Sequence, residues 1–236
     1  MNTIKEKWNM KAVIFDLDDT LILEKDYVLS GYRAVAEALS GTEGFMNDPE
    51  EIIKKLSELF DESPKNVFNR LYESFGLKYT KDDIMSLVEI YRTHDPEIKM
   101  LPDASEAIAA LKNEGFFLGI LSDGYLVTQQ KKIKAIGAEA IFDGIVLTDE
   151  LGRDYWKPSI KGFEVLSQRL NVGLNEMVYV GDNPKKDFEI MKNSPIKTVR
   201  VIREDGVYRD SEYGGECREN IRTDSLKGLG GIIGKL

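Results

Sequence analysis

Ala12-Val13-Ile14-Phe15 is apolar without a break and runs straight into Asp16-Leu17-Asp18-Asp19-Thr20. Contiguous apolar residues stopped by charge predict a strand buried on both faces of a parallel sheet. From about Tyr27 to His94 the period becomes helical. Val28, Tyr32, Val35 and Leu39 share one face, Ile52, Leu56, Leu59 and Phe60 another, and Phe68, Leu71, Tyr72 and Phe75 a third, with Gly76 as the stop. Asp48-Pro49 and Ser63-Pro64 each read as an N-cap followed by Pro at the first helical position. Thr80 with Asp83 reads as a capping box that opens a helix striped by Ile84, Leu87, Val88 and Tyr91. A small helical bundle is expected, with its aromatic residues in the core.

Beyond Asp95-Pro96 strands alternate with helices, the pattern of parallel βαβ units. Helices are expected over 103–113, 126–136, 159–170 and 184–193, and strands over 116–121, 141–147, 177–180 and 198–202. The stretch 203–215 is charged and glycine-bearing and reads as a loop, and a short element near 225–233 closes the fold. The fold class is therefore α/β. A doubly wound parallel sheet over 1–23 and 96–236 receives the helical bundle 24–95 as an insertion after its first strand.

With 236 residues, 42% of them hydrophobic, the chain can bury a sizeable core. The balance of 32 basic and 41 acidic side chains gives a net charge of -9, which opposes binding to nucleic acid or anionic membranes, so an anionic ligand must be met by a metal or a few placed cations. Cys217 and His94 are the only residues of their kinds. An intrachain disulfide is excluded, and a His-dependent triad or two-histidine metal site nearly so. Residues 1–11 are polar, and the apolar run behind them is too short for a signal-peptide core or a membrane span. A cytoplasmic location is expected, with residues 1–9 a dispensable extension. Oligomeric state is left open.

The acidic cluster carries the chemistry. Two carboxylates 4 Å apart repel by roughly 4 kcal/mol at an effective dielectric near 20, so such a cluster takes up a proton or a cation. Mg²⁺ suits carboxylate and phosphate oxygens, and an Asp beside it can attack phosphorus. A calcium loop fits poorly, because Leu21 stands where that loop needs Gly and Tyr27 where it needs Glu. A solvated acidic turn is the plain alternative, and it is weighed against the other strand ends. Leu121-Ser122-Asp123-Gly124 offers a hydroxyl and a tight turn whose N–H groups can face an oxyanion. Trp156-Lys157-Pro158-Ser159 brings a lysine, and Gly181-Asp182-Asn183-Pro184-Lys185-Lys186-Asp187 brings two more carboxylates. All four segments are expected at one edge of the sheet.

In this order the four segments resemble the motifs of the haloacid dehalogenase-like (HAD) hydrolases, in the phosphatase branch with a helical cap inserted after the first motif. The resemblance runs from Met10 to about Ile233. It implies a Rossmann-like core and Mg²⁺-dependent hydrolysis of a small phosphate ester through an aspartyl-phosphate, with the bundle as a lid. Asp16 would be the nucleophile and Asp18 the acid and base, its pKa raised by the crowd of carboxylates. Mg²⁺ would sit on the Asp16 carboxylate, the Asp18 main-chain carbonyl and Asp182. Ser122 and Lys157, with Asp123 and Gly124 beside them, would hold the phosphoryl oxygens. Asp187 would orient Lys157 or a metal-bound water, with Asn183 in support, and Thr20 would stabilise the turn after the strand.

Asp19 stands where Gly is common in relatives. Asp18 argues against dehalogenase chemistry. A phosphomutase is the nearer enzymatic alternative, and a phospho-receiver that forms an aspartyl-phosphate without turnover is the alternative of another class. Tyr27, Tyr32, Arg33 and Tyr72 are the cap residues considered for substrate selection.

Overall fold

Ala12–Phe15 forms β1, and all four of its side chains are buried. In the computed structural model, which describes residues 9–42, 44–45 and 48–236, β1 lies at the centre of a six-stranded sheet. The other strands are β2 (Phe117–Ser122), β3 (Gly144–Leu147), β4 (Met177–Gly181), β5 (Lys197–Val201) and β6 (Ile221–Thr223), in the order β3-β2-β1-β4-β5-β6. Every neighbouring pair is parallel. Phe15 is in register with Ile120 of β2 and Val180 of β4, so Asp16, Ser122 and Asp182 leave the sheet near one level. That alignment makes the carboxyl ends of the central strands a single ledge.

The described chain divides into two compact units, one running to Lys25 and resuming at Lys99–Leu236, the other Asp26–Ile98. In the first, α7 (Lys161–Leu170) packs Phe163, Leu166 and Leu170 against Ala12, Ile14, Leu121, Val146 and Tyr179. Helix α5 (Pro102–Asn113) packs on β2 and also meets α8 (Leu229–Ile233). Helix α6 (Leu126–Ala135) lies beside β3. The second unit holds most of α1 (Glu24–Leu39), then α2 (Pro49–Glu62), α3 (Val67–Ser74) and α4 (Lys81–Thr93), around a core that includes Val35, Ile52, Leu56, Leu71 and Leu87. No helix among the described residues is long and apolar enough to cross a membrane.

Most elements fall where the periodicity places them, and the exceptions have local causes. Asp48 caps α2 through Glu50 N and Thr80 makes the capping box with Asp83, but Ser63-Pro64 starts no helix. Ser63 instead ends α2, its N–H donating to Leu59 O, and α3 begins after Asn66, which has φ of 53°. Helix α1 starts earlier than expected, at Glu24, because Asp19 Oδ1 accepts the Glu24 N–H at 2.9 Å. The expected helix over 184–193 reduces to a short 3-10 turn at Glu189–Lys192. Asn183 Oδ1 accepts Lys185 N and Asp187 Oδ2 accepts Asn183 N, both at 3.0 Å, so side chains take the place of a helical ladder there. Strand β6 was not expected, since three residues, Ile-Arg-Thr, are too few to show alternation. Of the expected extension over 1–9, residues 1–8 lie outside the described residues, and Met10, just before β1, is buried.

Asp103 ties the chain's late segments to α5. It receives Arg203 Nη1 at 2.6 Å, Ser225 Oγ at 2.9 Å and Leu226 N at 2.8 Å. Burial pushes its carboxyl up, and the Arg203 guanidinium with the two other donors outweighs that and holds it below the usual range. Its contribution to stability is therefore complete above the ordinary carboxylate pKa and fades as pH drops through its lowered one. Asp103→Ala is expected to cost about 1–3 kcal/mol in urea unfolding at neutral pH, and the gap from the parent should narrow toward acid pH.

Candidate active site

Lys157 is the hub of the ledge. Its ammonium, fully buried, lies 2.9 Å from Asp16 Oδ2 and 3.0 Å from Asp187 Oδ1, and donates to Tyr179 Oη at 2.6 Å. The Lys157-Pro158 bond is cis. Asp16 Oδ1 accepts the Leu17 N–H at 2.9 Å, which fixes the carboxylate at the end of β1. Carboxylate oxygens of Asp16, Asp182 and Asp187 lie within 4.8 Å of one another, all three residues buried.

One lysine does not offset three carboxylates. Burial pushes the Asp16 carboxyl up to about 7, with Lys157 opposing and Asp187 adding to the rise. Burial, then Asp187, Asp16 and Asp19, hold Asp182 well above the usual range. Buried oxygen ligands that resist ionisation next to one another are a donor set that fits a hard divalent cation. Asp16 and Asp182 are the better ligands of the three, because Asp187 is already engaged by Lys157, Tyr179 Oη and Asn183 N. A Cβ at Gly181 would stand 2.5 Å from Asp187 Oδ2, so glycine there makes room for that carboxylate.

Ser122 and Asp123 follow β2. Ser122 is buried, its Oγ receiving Gln129 Nε2 at 2.6 Å. The Asp123 side chain is tied down by Thr148 Oγ1 and Lys186 Nζ, each at 2.7 Å, and by Lys157 N at 3.2 Å. Burial opposes its ionisation, but Lys157 and Lys186 keep its carboxyl below the usual range. Its carboxylate is thus an anchor, and any contact with an anion falls to the backbone of this turn, where Gly124 has φ of 142°. Thr20 is buried, with a hydroxyl that makes no hydrogen bond among the described residues. Its carbonyl, held by Arg203 Nη2 at 2.7 Å, is what secures the turn.

Asp18 departs from the sequence reading. Burial would raise its carboxyl, but Lys132, with hydrogen bonds from Glu24, Lys132 and Gln129, outweighs burial and lowers it. Lys132 Nζ is 2.7 Å from Asp18 Oδ1 and 2.5 Å from Glu24 Oε2. Glu24 takes the opposite course, pushed up to about 8 by burial against Lys132, with Asp18 adding to the rise. Hydrogen-bonded to each other beside one ammonium, the two acids are placed to share a proton, with Glu24 the harder of the two to ionise. Asp18 was expected to be raised because only its acidic neighbours are visible in the sequence.

Asp19, at φ 51°, accepts the conformation that favours glycine and uses its carboxylate on both sides, taking Glu24 N and, at 2.7 Å, Val207 N. Buried Arg200 donates to Asp182 O at 3.2 Å, Tyr208 O at 3.0 Å and Arg209 O at 3.3 Å, fastening the 203–213 loop beside the acidic site. Among the cap candidates, Tyr27 and Tyr32 are buried in the helical unit, the Tyr27 hydroxyl donating to Tyr91 O at 3.1 Å, and Tyr72 packs against the same core. Arg33 is exposed, 3.6 Å from Glu97.

The sequence profile of the haloacid dehalogenase-like hydrolases matches residues 13–201. The chain belongs to that family. The match takes in every acidic residue of the ledge and stops just before the 203–213 loop. Two HAD relatives named glyceraldehyde 3-phosphate phosphatase align along most of the chain. The one from Methanopyrus kandleri is 32% identical, covering 86% of this chain and 88% of its own, and the one from Methanocaldococcus jannaschii is 28% identical, covering 86% and 89%. The pyrophosphatase PpaX of Listeria innocua is 27% identical, over 80% and 82%. The crystal structure of a HAD phosphatase from Thermococcus onnurineus superposes with TM-score 0.60 at 25% identity, covering 95% of this chain and 98% of that one. The present HAD chain is an enzyme of the phosphatase type.

The residues of the four motifs come together, and the sequence passed over those that support them. Gln129, Lys132, Tyr179, Lys186 and Glu24 all touch motif side chains. A signal existed for two of them: Gln129, Lys132 and Ile133 form the buried face of α6, polar residues at the spacing where apolar ones belong. Lys157→Met is expected to destabilise the fold by about 3–5 kcal/mol in chemical denaturation, since it strands buried Asp187 without a cation.

Proposed function

We propose that this HAD enzyme is a Mg²⁺-dependent phosphomonoesterase for small phosphorylated metabolites, working through an aspartyl-phosphate on Asp16. The observation that carries the reading is the Asp16 carboxylate, pinned at the end of β1 by Leu17 N and Lys157 with Asp182 and Asp187 gathered beside it. The relatives named for glyceraldehyde 3-phosphate and pyrophosphate hydrolysis support a small anionic substrate.

In this reading Asp16 attacks phosphorus in line with the ester oxygen, and the P–O bond to the leaving group breaks as the Asp16–phosphorus bond forms. Asp18 gives the departing alkoxide the proton it shares with Glu24. Asp18 then takes a proton from the water that attacks the phospho-aspartate, which releases inorganic phosphate and restores Asp16. Lys157 and Ser122 hold phosphoryl oxygens, and the backbone at Asp123-Gly124 completes the cradle. Mg²⁺ on Asp16, Asp182 and the Asp18 main-chain carbonyl would neutralise the carboxylates and the incoming phosphate. Asp187 keeps Lys157 in place.

Sustained release of phosphate from p-nitrophenyl phosphate with Mg²⁺, and its loss on chelation, is the expected result, followed by a panel of phosphorylated sugars, nucleotides and small acids that includes glyceraldehyde 3-phosphate. A single burst of product without turnover would instead indicate a receiver. Asp16→Asn should lower turnover by about 10³-fold or more, and activity retained in that variant would remove Asp16 from the nucleophile's place. Mg²⁺ at 100 times its dissociation constant should stabilise the parent by about 2.7 kcal/mol in thermal unfolding and leave Asp182→Asn nearly unshifted.

A further inference from the structure

Helix α6 is built in an unusual way. A helix packed on a sheet buries apolar residues at i, i+3 and i+4, yet α6 turns Gln129, Lys132 and Ile133 inward, Gln129 at 1% exposure and Lys132 at 2%. Burying an ammonium is costly unless carboxylates meet it, and here two do, Asp18 and Glu24. Gln129 is as firmly placed. Its amide nitrogen lies 2.9 Å from Asp18 Oδ2, 2.6 Å from Ser122 Oγ and 3.0 Å from Asp123 O.

The consequence is that each oxygen of the Asp18 carboxylate has its own donor, Oδ1 from Lys132 and Oδ2 from Gln129, both from one rigid element. The Asp18 side chain is partly open to solvent, at 27%, and without those donors only the hydrogen bond with Glu24 would restrain its two torsions. Gln129 also joins Asp18 to Ser122, so the acid and the phosphate cradle are located against each other by a single amide.

We propose that Lys132 and Gln129 are positioning residues that hold the Asp18 carboxylate in line with the leaving-group oxygen and, later, with the attacking water. In this role neither need touch substrate. They act through Asp18, and a displacement of about an ångström in such a group can cost on the order of 10²-fold in rate. The proposal rests on Asp18 being the acid and base of a phosphatase, so Asp18→Asn is measured alongside.

The experiment uses the full chain with Mg²⁺ and compares Lys132→Met, Lys132→Arg and Gln129→Met, with inorganic phosphate as a competitive inhibitor. For an alkyl phosphate such as glyceraldehyde 3-phosphate, Lys132→Met should lower kcat by about 100-fold and Gln129→Met by about 10-fold, while KM and the phosphate inhibition constant stay within about threefold of the parent. Lys132→Arg, which keeps a cation for Asp18, should recover most of the loss. With p-nitrophenyl phosphate, whose leaving group departs without a proton, both Met variants should show a burst of one nitrophenolate per enzyme and then a slow steady state, because phosphorylation of Asp16 proceeds and its hydrolysis does not. A merely structural role would lower both phases together and raise KM. That pattern, or kcat within threefold of the parent in Gln129→Met, overturns the proposal. If Lys132→Met fails to fold by circular dichroism, Gln129→Met decides alone. An Asp18→Asn variant that still turns over would overturn Asp18 as the acid and base on which the proposal rests, whereas an inactive Asp18→Asn beside fully active Lys132 and Gln129 variants would overturn only the positioning role.

Discussion

The ammonium of Lys157, withdrawn completely from water, is the constraint on which the ledge depends. It links the end of β1, through Asp16, to the segment after β4, through Asp187, and it leans on Tyr179 inside the sheet. In a medium of low dielectric such a group holds its neighbours firmly only if every partner is in place. The local design follows from that requirement. Gly181 lacks a side chain so that Asp187 can approach, and the chain after Asp182 forgoes a regular helix so that Asp187 and Asn183 can fold back on themselves.

Charge is balanced piece by piece. Lys157 serves Asp16 and Asp187, Lys186 serves Asp123, and Lys132 serves Asp18 and Glu24. What remains without a cation of its own is Asp182, while Asp16 shares Lys157 with Asp187, so this acidic group is the least balanced part of the ledge. A pocket that paired every carboxylate internally would have no affinity left for a metal ion.

The strands of the central sheet were legible because burial on both faces leaves an unbroken apolar run, as in Ala12–Phe15 and Met177–Gly181. Short or side-chain-held segments were not. β6 has three residues, and the 184–193 stretch carries a helix-like spacing that Asn183 and Asp187 override. Ser63-Pro64 has the letters of an N-cap but ends a helix instead. At the ledge, the motif residues could be read from strand ends and resemblance, whereas the state of Asp18 could not, because it is decided by Lys132, a residue 114 positions away whose letter in a helix normally signals a solvated face. Asp19 likewise looked like a minor variation, and only the fold shows its carboxylate bridging Glu24 and Val207.

The place of β1 in the sheet bears on how the chain is assembled. It is the first strand among the described residues, yet its hydrogen-bonding partners are β2, beginning at Phe117, and β4, beginning at Met177, with the whole of Asp26–Ile98 in between. A chain made from its N-terminus therefore holds β1 without its first partner until β2 is complete, and without its second until β4. Sheets knit from such distant segments fold slowly and leave intermediates with exposed apolar surface, and the strand that carries Asp16 at its end is the one whose pairing spans the greatest length of chain.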